Sequence, residues 1–405
     1  MNAVFKGAKA LLVPLAVLLG AATPAVAQEA TAPPPSAHGW VGTWESPSTV
    51  GAATADVAAG DSLRQVVHVS VGGPRIRVRL SNEFGAEPLV LGRVTVAVRA
   101  DGADAVPGSV RRVSFRSRTV PAGRDAVSEP VAIDVAPDSD LLVSAHLPRV
   151  PGLQTVHPLA QQTAYVARSA DHAADVSGAA YTATSGQRFY VTGVDVVNRP
   201  ARGAVVAFGD SITDGYGSTQ GANHRWPDYL SDRLQKLPRS RQLGVLNAGI
   251  SGNRLLLDGG GFGVKALDRL DEDIFSRTDV RTLVLMEGIN DIQQDPHQTD
   301  PAAITAAYRE IVRQAHAHGI KVIGSTLTPF KGWQVYDETL EATRLAVNDY
   351  IRTSGLFDEV VDFDRAVRDP ADPLRILPAY DMGDHLHPND AGYAAMAAAV
   401  DLRTL

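Results

Sequence analysis

The stretch AVVAFGDSITDG, residues 204–215, decides the fold of the second half of the chain. Five apolar residues run without interruption to Phe208, and a glycine, an aspartate and a serine follow directly. Such a run is typical of a strand buried on both faces, as in a parallel sheet covered by helices. A serine after a buried strand is commonly a turn residue or a helix N-cap. Ser211 can be a nucleophile only if the rest of the chain supplies a base, an orienting carboxylate and an oxyanion site.

From residue 204 onward, short apolar runs alternate with amphipathic stretches of helical period. This alternation predicts a parallel sheet with helices on both faces, in which ligands bind beyond the carboxyl ends of the strands. The apolar runs lie at 204–208, 244–246, 282–286, 321–323 and 360–363, and the helical stretches lie near 226–237, 264–275, 301–318, 337–352 and 390–400.

Residues 40–198 have a different pattern, in which apolar side chains alternate with polar ones. The runs LRQVVHVSV (63–71) and RIRVRL (75–80) flank a Gly-Gly-Pro turn and predict a hairpin. The arginines at 75–79 could bind acidic sugars, but we expect a solvated outer face. Several further short runs of this kind predict an all-β sandwich or jelly roll ahead of the α/β domain.

The N-terminus has the pattern of an export signal. Lys6 and Lys9 precede an apolar stretch at 10–22 that is too short, and too interrupted by proline, to span a membrane comfortably. Ala25-Val26-Ala27 forms an A-x-A cleavage site. We therefore expect a secreted or periplasmic protein. The predicted organisation is a signal peptide at 1–27, a flexible leader at 28–39, a β domain at 40–198 and an α/β domain at 199–405.

Composition excludes several classes of function. The formal charge is −7, and loss of residues 1–27 removes two lysines and no acid, which takes it to −9. An acidic exported protein is a poor partner for nucleic acid, and after signal cleavage we expect no membrane association. The chain has no cysteine, which excludes disulfides, thiol catalysis and cysteine-ligated metals. The oligomeric state stays open.

The loops that follow the predicted strands carry the groups that acyl transfer needs. His387 can act as the base for Ser211, and Asp384, three residues earlier, can hydrogen-bond the second imidazole nitrogen. Gly252 has no side chain, so its backbone N–H can approach an oxyanion closely. The Asn290 amide and the backbone N–H of Ser211 are two further donors for that oxygen.

Four blocks of sequence resemble the SGNH hydrolases, also called GDSL esterases and lipases. The resemblance covers roughly residues 204–400, and the blocks occur in the order and spacing of the family. Ile212 stands where the family's name has leucine, and it keeps the position apolar. The blocks are GDSI at 209–212, NAGISGN at 247–253, GIND at 288–291 and DHLH at 384–387.

The resemblance implies a flavodoxin-like three-layer α/β/α fold and serine hydrolysis of esters without a metal or cofactor. It assigns Ser211 as nucleophile, His387 as base and Asp384 as its orienting acid, with Ser211, Gly252 and Asn290 as the oxyanion hole. The segments RWPDYL, LNAGISGNRLL and PAYDMGDHLHPNDAGY further resemble arylesterases and acylhydrolases associated with plant-polysaccharide breakdown. Those relatives also look two-domain, with a β-rich module ahead of the hydrolase domain, as predicted for this chain. The expected substrate is a small ester or an acylated carbohydrate.

Four alternatives remain open from the sequence. His385 competes with His387 as base, although the spacing from Asp384 favours His387. The two histidines with Asp384 could instead bind a metal, but the serine block would then be unexplained. The whole chain could be a polysaccharide-binding protein with an inactive hydrolase-like scaffold, or an acyltransferase that uses Ser211 with a hydroxyl acceptor in place of water.

Overall fold

The computed structural model describes residues 39–52 and 56–405, so the predicted signal peptide and almost all of the predicted leader lie outside the described residues. The first part of the described chain contains strands and turns. Its strands are β1 Trp40–Glu45, β2 Thr49–Ala52, β3 Ser62–Val69, β4 Gly73–Ser81, β5 Leu89–Val90, β6 Val94–Asp101, β7 Asp104–Ala105, β8 Arg111–Val113, β9 Thr119–Val120, β10 Asp125–Val127, β11 Val131–Val135, β12 Ser139–His146, β13 Leu153–His157, β14 Ala164–Ala167, β15 Ala183–Ser185, β16 Arg188–Phe189 and β17 Val191–Val197.

These strands pair into antiparallel sheets. One sheet has the order β1-β17-β4-β10, with β11 also on β4, and a larger one has the order β15-β14-β3-β12-β6-β7, with β8 on β6. A third contains β16-β13-β2, and β5 pairs with β9. The prediction of a strand-rich domain ahead of the α/β domain is confirmed. Its finer classification as a jelly roll stays a prediction.

The predicted hairpin between residues 63–71 and 75–80 is wrong. Strand β3 pairs with β12 and β14, whereas β4 pairs with β17, β10 and β11 in a different sheet. The chain crosses between the sheets at Gly72 and Gly73, where there is no room for a side chain. A Cβ on Gly72 would lie 2.2 Å from the Val135 carbonyl oxygen, and a Cβ on Gly73 would lie 2.2 Å from the Val197 carbonyl oxygen. The apolar faces of β3 and β4 then belong to the same core. Period-two alternation identifies the buried face of a strand but not its partner.

The expected solvated arginine face is wrong for two of its three arginines. Arg77 Nε lies 2.7 Å from Asp195 Oδ2, and its Nη2 donates to Thr278 Oγ1 at 3.1 Å. Arg79 donates to the carbonyl of Ser276. Arg77 and Arg79 on the polar face of β4 therefore contact residues 276–278 of the α/β part. This portion of the face is an internal contact surface.

The second part of the chain is a doubly wound α/β fold. Its parallel sheet has the order β19-β18-β20-β21-β22, which is the flavodoxin-like order of second, first, third, fourth and fifth strand. The predicted fold class is confirmed. The elements are β18 Ala204–Gly209, α1 Ser211–Asp214, α2 Trp226–Gln235, β19 Gly244–Gly249, β20 Val280–Met286, α3 Ile289–Gln293, α4 Pro301–Ala317, β21 Lys321–Ser325, α5 Glu338–Thr353, β22 Glu359–Val361, α6 Phe363–Val367 and α7 Asp390–Ala399.

Helices cover both faces of this sheet. Val205 and Ala207 of β18 belong to a core shared with α2 and α7, and Val206 and Phe208 belong to the opposite core with α4 and α5. The helix expected near 264–275 is replaced by a 3₁₀ turn and a π turn. Among the described residues, no helix is long and apolar enough to span a bilayer.

The strand-rich and α/β parts pack directly against each other. Strand β1 lies along β19, and a Cβ on Gly244 of β19 would lie 1.9 Å from the Gly42 carbonyl oxygen. Gly42 also donates a backbone hydrogen bond to the Thr278 carbonyl, just before β20. The buried apolar residues of the strand-rich part continue into one face of the parallel sheet. The architecture changes between Val197 and Ala204, and the domain bounds of 40–198 and 199–405 stay predictions.

Candidate active site

Ser211 is held at a sharp turn between the first strand and first helix of the parallel sheet. The strand β18 ends at Gly209, where a Cβ would lie 2.3 Å from Thr213 Oγ1 and 2.4 Å from the Met286 carbonyl oxygen. Asp210 is the N-cap of α1 and accepts a hydrogen bond from the Ile212 N–H at 2.9 Å. This turn lies between the first and third strands of the sheet, where strand order reverses and ligands bind in such folds.

The structure brings together the three residues predicted as a catalytic triad. Ser211 Oγ lies 2.8 Å from His387 Nε2, and His387 Nδ1 lies 2.6 Å from Asp384 Oδ2. The other carboxylate oxygen of Asp384 accepts the backbone N–H groups of Leu386 and His387. An ionised carboxylate only accepts, so Nδ1 carries the proton and Nε2 presents its lone pair to the serine hydroxyl. This is the arrangement that a general base for Ser211 requires.

The charge on Asp384 is secured by its hydrogen bonds. Burial alone would raise the pKa of this carboxyl, but the bonds from the His387 ring and from the backbone N–H groups of His387 and Leu386 outweigh burial and lower it to about 2. The carboxylate is therefore ionised throughout the working range of an esterase. It can stabilise the imidazolium that forms when His387 takes the serine proton.

His385, the competing base, pairs with a different carboxylate, and it is His387 that contacts the serine. Its Nδ1 is 2.6 Å from Asp381 Oδ2, and its backbone has a φ of 69°, which is unusual for a residue with a side chain. Two aromatic rings instead hold His387 edge-on: Tyr216 at 4.7 Å and Trp333 at 6.2 Å between ring centroids. Within the described chain, no group of three or more His, Asp or Glu side chains is arranged to hold a metal ion.

The predicted oxyanion donors lie on neighbouring loops of the same sheet edge. Gly252 has a φ of 80°, and a Cβ there would lie 2.6 Å from the Phe262 ring, so the position requires glycine. Asn290 Nδ2 donates to the Asn253 carbonyl at 2.9 Å. An amide has two N–H groups, so this bond leaves a second one for a substrate oxygen. The oxyanion role of Ser211, Gly252 and Asn290 stays a prediction.

A hydrogen-bonded chain that the sequence analysis missed orients the Asn290 amide. Trp333 Nε1 donates to Gln293 Oε1 at 2.9 Å, and Gln293 Nε2 donates to Asn290 Oδ1 at 2.7 Å. Because its oxygen accepts from Gln293, the Asn290 amide cannot flip without losing a bond. Trp333 thus contacts the base through its ring and the amide through Gln293. No short motif marks Gln293, which lies two residues beyond the GIND block.

Removing the Gln293 amide should reduce turnover more than substrate binding. We expect Gln293→Leu to lower kcat for a 4-nitrophenyl ester by about 10- to 100-fold, because a misaligned Asn290 stabilises the oxyanion less well. Steady-state kinetics measure the effect, with Gln314→Leu on α4 as the control. A kcat equal to wild type in a folded Gln293→Leu protein would show that the chain does not orient Asn290.

Arg269 ties together the carboxyl ends of the first three strands. Its guanidinium donates to the carbonyls of Gly209 at 3.0 Å and Ala248 at 2.8 Å and lies 3.4 Å from Glu287 after β20. The same group bonds Asp273 and lies 3.9 Å above the Phe208 ring. This fully satisfied, buried guanidinium explains why the segment around residue 269 turns inward and does not form the expected α-helix.

The carboxyl groups of Asp210 and Glu287, next to the Ser211 turn, are buried with few hydrogen bonds to offset the cost of burial. Burial raises the pKa of Asp210 to about 7 and that of Glu287 well above its ordinary value. Within the described chain, one carboxyl oxygen of each has no hydrogen-bond partner. Burial also raises the pKa of Asp291, but both of its carboxyl oxygens accept backbone N–H groups, those of Leu255 and Leu256. Asp210 therefore acts as a helix cap, and Asp291 holds the loop at residues 255–256.

The raised pKa of Asp210 predicts a pH-dependent effect on stability. Between the unfolded pKa near 4 and the folded pKa of about 7, the folded protein binds the extra proton, so stability falls as pH rises. Asn is neutral throughout, and its oxygen can still accept the Ile212 N–H. Relative to wild type, Asp210→Asn should therefore gain a few kcal/mol of unfolding free energy from pH 4 to pH 8. Urea unfolding at both pH values measures this, and a constant difference would contradict it.

The strand-turn-helix serine with its histidine and aspartate, on a flavodoxin-like sheet, defines a serine hydrolase. Residues 207–395 match the GDSL-like Lipase/Acylhydrolase family. The resemblance read from the four sequence blocks is confirmed. The protein is a carboxylic ester hydrolase. A comparison with curated proteins finds no match.

Solved structures give distant similarities. A GDSL-like lipase from Bacteroides thetaiotaomicron is 21% identical over 48% of this chain and 84% of its own, with a TM-score of 0.36. An acetylxylan esterase from Geobacillus stearothermophilus is 22% identical over 49% and 92%, with a TM-score of 0.37. A family two carbohydrate esterase from Clostridium thermocellum is 14% identical over 84% and 90%, with a TM-score of 0.36. Such low scores do not define a substrate for this chain.

Proposed function

We propose that the protein is an exported serine esterase that hydrolyses short-chain carboxylic esters, acetyl or aryl esters and acetyl groups on carbohydrate among them. The observation that carries the proposal is the continuous contact from Ser211 Oγ through His387 to the Asp384 carboxylate. That contact supplies a nucleophile, a base with a free lone pair and a fixed counter-charge in one place.

The reaction follows from these positions. The Ser211 oxygen attacks the ester carbonyl carbon while its proton passes to His387 Nε2. The tetrahedral oxyanion accepts hydrogen bonds from the backbone N–H groups of Ser211 and Gly252 and from the Asn290 amide. When the C–O bond to the alcohol breaks, His387 gives its proton to the leaving oxygen. Water then attacks the acyl-enzyme, His387 takes a proton from that water, and the acid leaves as the Ser211 hydroxyl reforms.

A preference for short acyl groups is supported by the wall beside the predicted oxyanion hole. The Phe262 ring packs against the backbone of Gly252, and this side chain is half exposed. With the oxyanion bound by the Gly252 N–H, as proposed, this ring would limit the room for a long acyl chain on that side and offer an apolar contact for a short one.

The substrate proposal is tested by hydrolysis of 4-nitrophenyl esters from acetate to decanoate, with a chelator present. We expect turnover that survives the chelator and falls as the acyl chain lengthens. Release of acetate from an acetylated xylan, compared with the same polymer after chemical deacetylation, tests the carbohydrate substrate. Fastest turnover on decanoate would overturn the short-acyl proposal, and no turnover on any ester would overturn the esterase proposal.

Export is supported by the charged, apolar and A-x-A segments of residues 1–27. We expect the mature protein to begin near Gln28 and to be recovered outside the cytoplasm. N-terminal sequencing of the protein from the culture medium and the periplasmic fraction measures this. A protein that retains residues 1–27 and stays in the cytoplasm would contradict the proposal.

A further inference from the structure

A buried histidine of the strand-rich part reaches the helix that carries Ser211. His157 is the last residue of β13, and its side chain is 5% exposed. Its Nδ1 lies 2.9 Å from the Pro47 carbonyl oxygen, and its Nε2 lies 2.9 Å from Asp214 Oδ1. The ring thus connects backbone of the strand-rich part to a carboxylate of the α/β part, and the reaction described above does not use it.

Asp214 connects this histidine to the turn that contains Gly252. The second carboxylate oxygen of Asp214 accepts the Ser251 backbone N–H at 3.0 Å and the Ser251 hydroxyl at 2.6 Å. Ser251 directly precedes Gly252. Asp214 is also the last residue of α1, a four-residue helix whose first residue is Ser211. One carboxylate therefore fixes the nucleophile's helix relative to the turn that presents a predicted oxyanion donor.

The strand-rich part also contacts the segment that packs on the other side of the Ser251–Gly252 turn. Thr49 of β2 lies against Gly263, where a Cβ would be 3.4 Å from the threonine methyl group. Gly263 follows Phe262, whose ring packs on Gly252. The turn is thus held from one side by the His157–Asp214–Ser251 contacts and from the other by β2 and the Phe262 segment.

We propose that His157 is a positioning residue for ester hydrolysis, which makes the strand-rich part a component of the active site. By donating to Asp214 it holds the Ser251–Gly252 turn where the Gly252 N–H meets the oxyanion. Loss of this bond leaves a buried carboxylate free to shift, and the turn moves with it. This inference rests on the proposed esterase function and on the oxyanion role of Gly252.

Two substitutions at His157 separate its two hydrogen bonds. A glutamine amide nitrogen lies near the position of Nε2 and can keep the bond to Asp214, whereas an asparagine amide nitrogen lies near Nδ1 and can keep only the bond to Pro47. We expect His157→Gln to retain kcat on 4-nitrophenyl acetate within a few-fold. His157→Asn should lose about 10- to 100-fold in kcat with little change in KM. A purely structural role would affect both variants through stability and would not separate kcat from KM.

The control is His172→Gln in the same part of the chain. His172 also pairs with an aspartate, Asp175 at 2.7 Å, but this pair lies within one loop of the strand-rich part. We expect kcat as in wild type for this variant. Thermal unfolding of each variant identifies any that fail to fold. If His157→Asn does not fold, Ser251→Ala, which removes only the hydroxyl donor to Asp214, replaces it and is expected to lower kcat at unchanged KM.

The outcomes are distinguishable. A folded His157→Asn protein, or its Ser251→Ala replacement, with wild-type kcat would overturn the positioning role while leaving the esterase proposal intact. Equal losses in the Gln and Asn variants would also overturn it. A wild-type protein without activity on any ester would instead overturn the proposed function itself.

Discussion

Replacing Ser211 with alanine is expected to lower kcat for a 4-nitrophenyl ester by a factor on the order of 10⁴ to 10⁶. The substitution removes the one oxygen that lies 2.8 Å from His387 Nε2, so the base has no proton to take and no acyl-enzyme forms. The residual rate reflects substrate binding and the remaining oxyanion donors. The fold should survive, because the hydroxyl is small and the turn is held by Asp210 and Gly209 and not by the serine side chain.

The measurement is steady-state hydrolysis by the purified variant, with thermal unfolding as a check of its fold. Ser218→Ala is the matched control: this serine is also buried, lies on the loop after α1 and donates its hydroxyl to the Gly215 carbonyl. We expect Ser218→Ala to keep kcat close to wild type. A folded Ser211→Ala protein that retains more than about a tenth of wild-type kcat would exclude Ser211 as the nucleophile.

Arg269→Met is expected to lower the free energy of unfolding by about 3–5 kcal/mol. We also expect the variant to lose nearly all esterase activity. The substitution removes a guanidinium that is almost fully buried, which takes the 2.9 Å ion-pair contact from Asp273 and leaves that carboxylate with only the longer contact to Arg277 at 3.4 Å. It also removes the guanidinium donor to the carbonyls of Gly209 and Ala248 at the ends of two strands, although the Gly209 carbonyl keeps its bond from the Ile250 N–H. Because those strand ends lead directly into the loops of Ser211 and Gly252, their separation also disturbs the site.

Urea unfolding of wild type and variant measures the loss of stability. Arg313→Met is the control, since Arg313 is solvent-exposed and pairs with Glu310 on the surface of α4. That change should alter stability little, because exposed ion pairs contribute little. An Arg269→Met protein with the stability and activity of wild type would show that the strand ends are held by other contacts.

The strands of the parallel sheet and most of its helices could be predicted because each is local in sequence, whereas the strand order came from the resemblance to the SGNH hydrolases. The run at 204–208 is apolar at every position, which only a strand covered on both faces requires. The pairing of β3 and β4 could not be predicted, because alternation is the same in a hairpin and in two strands that face each other across a sandwich. The polar face of β4 looked solvated for the same reason, since side-chain pattern does not distinguish water from a polar contact with another part of the chain.

The grouping of Ser211, Asp384 and His387 could be predicted because each lies in a recognisable block, and their catalytic roles follow from the resemblance to the SGNH hydrolases. Asp384 and His387 lie three residues apart, and Ser211 follows a buried strand directly. Arg269 and His157 have no such context: each is a single residue whose partners lie on distant segments. Their functions depend on contacts made only after the sheets assemble, so no spacing or periodicity could have identified them.

The measurement that tests the central claim most directly is covalent labelling with diethyl 4-nitrophenyl phosphate. The nucleophile attacks phosphorus and 4-nitrophenolate leaves, so the active residue retains a diethylphosphoryl group. We predict a mass increase of one such group per chain, located by peptide mapping on Ser211, with complete loss of ester hydrolysis and no labelling of Ser211→Ala. A label on any other residue, or inhibition without a label on Ser211, would contradict the assignment of Ser211 as the nucleophile.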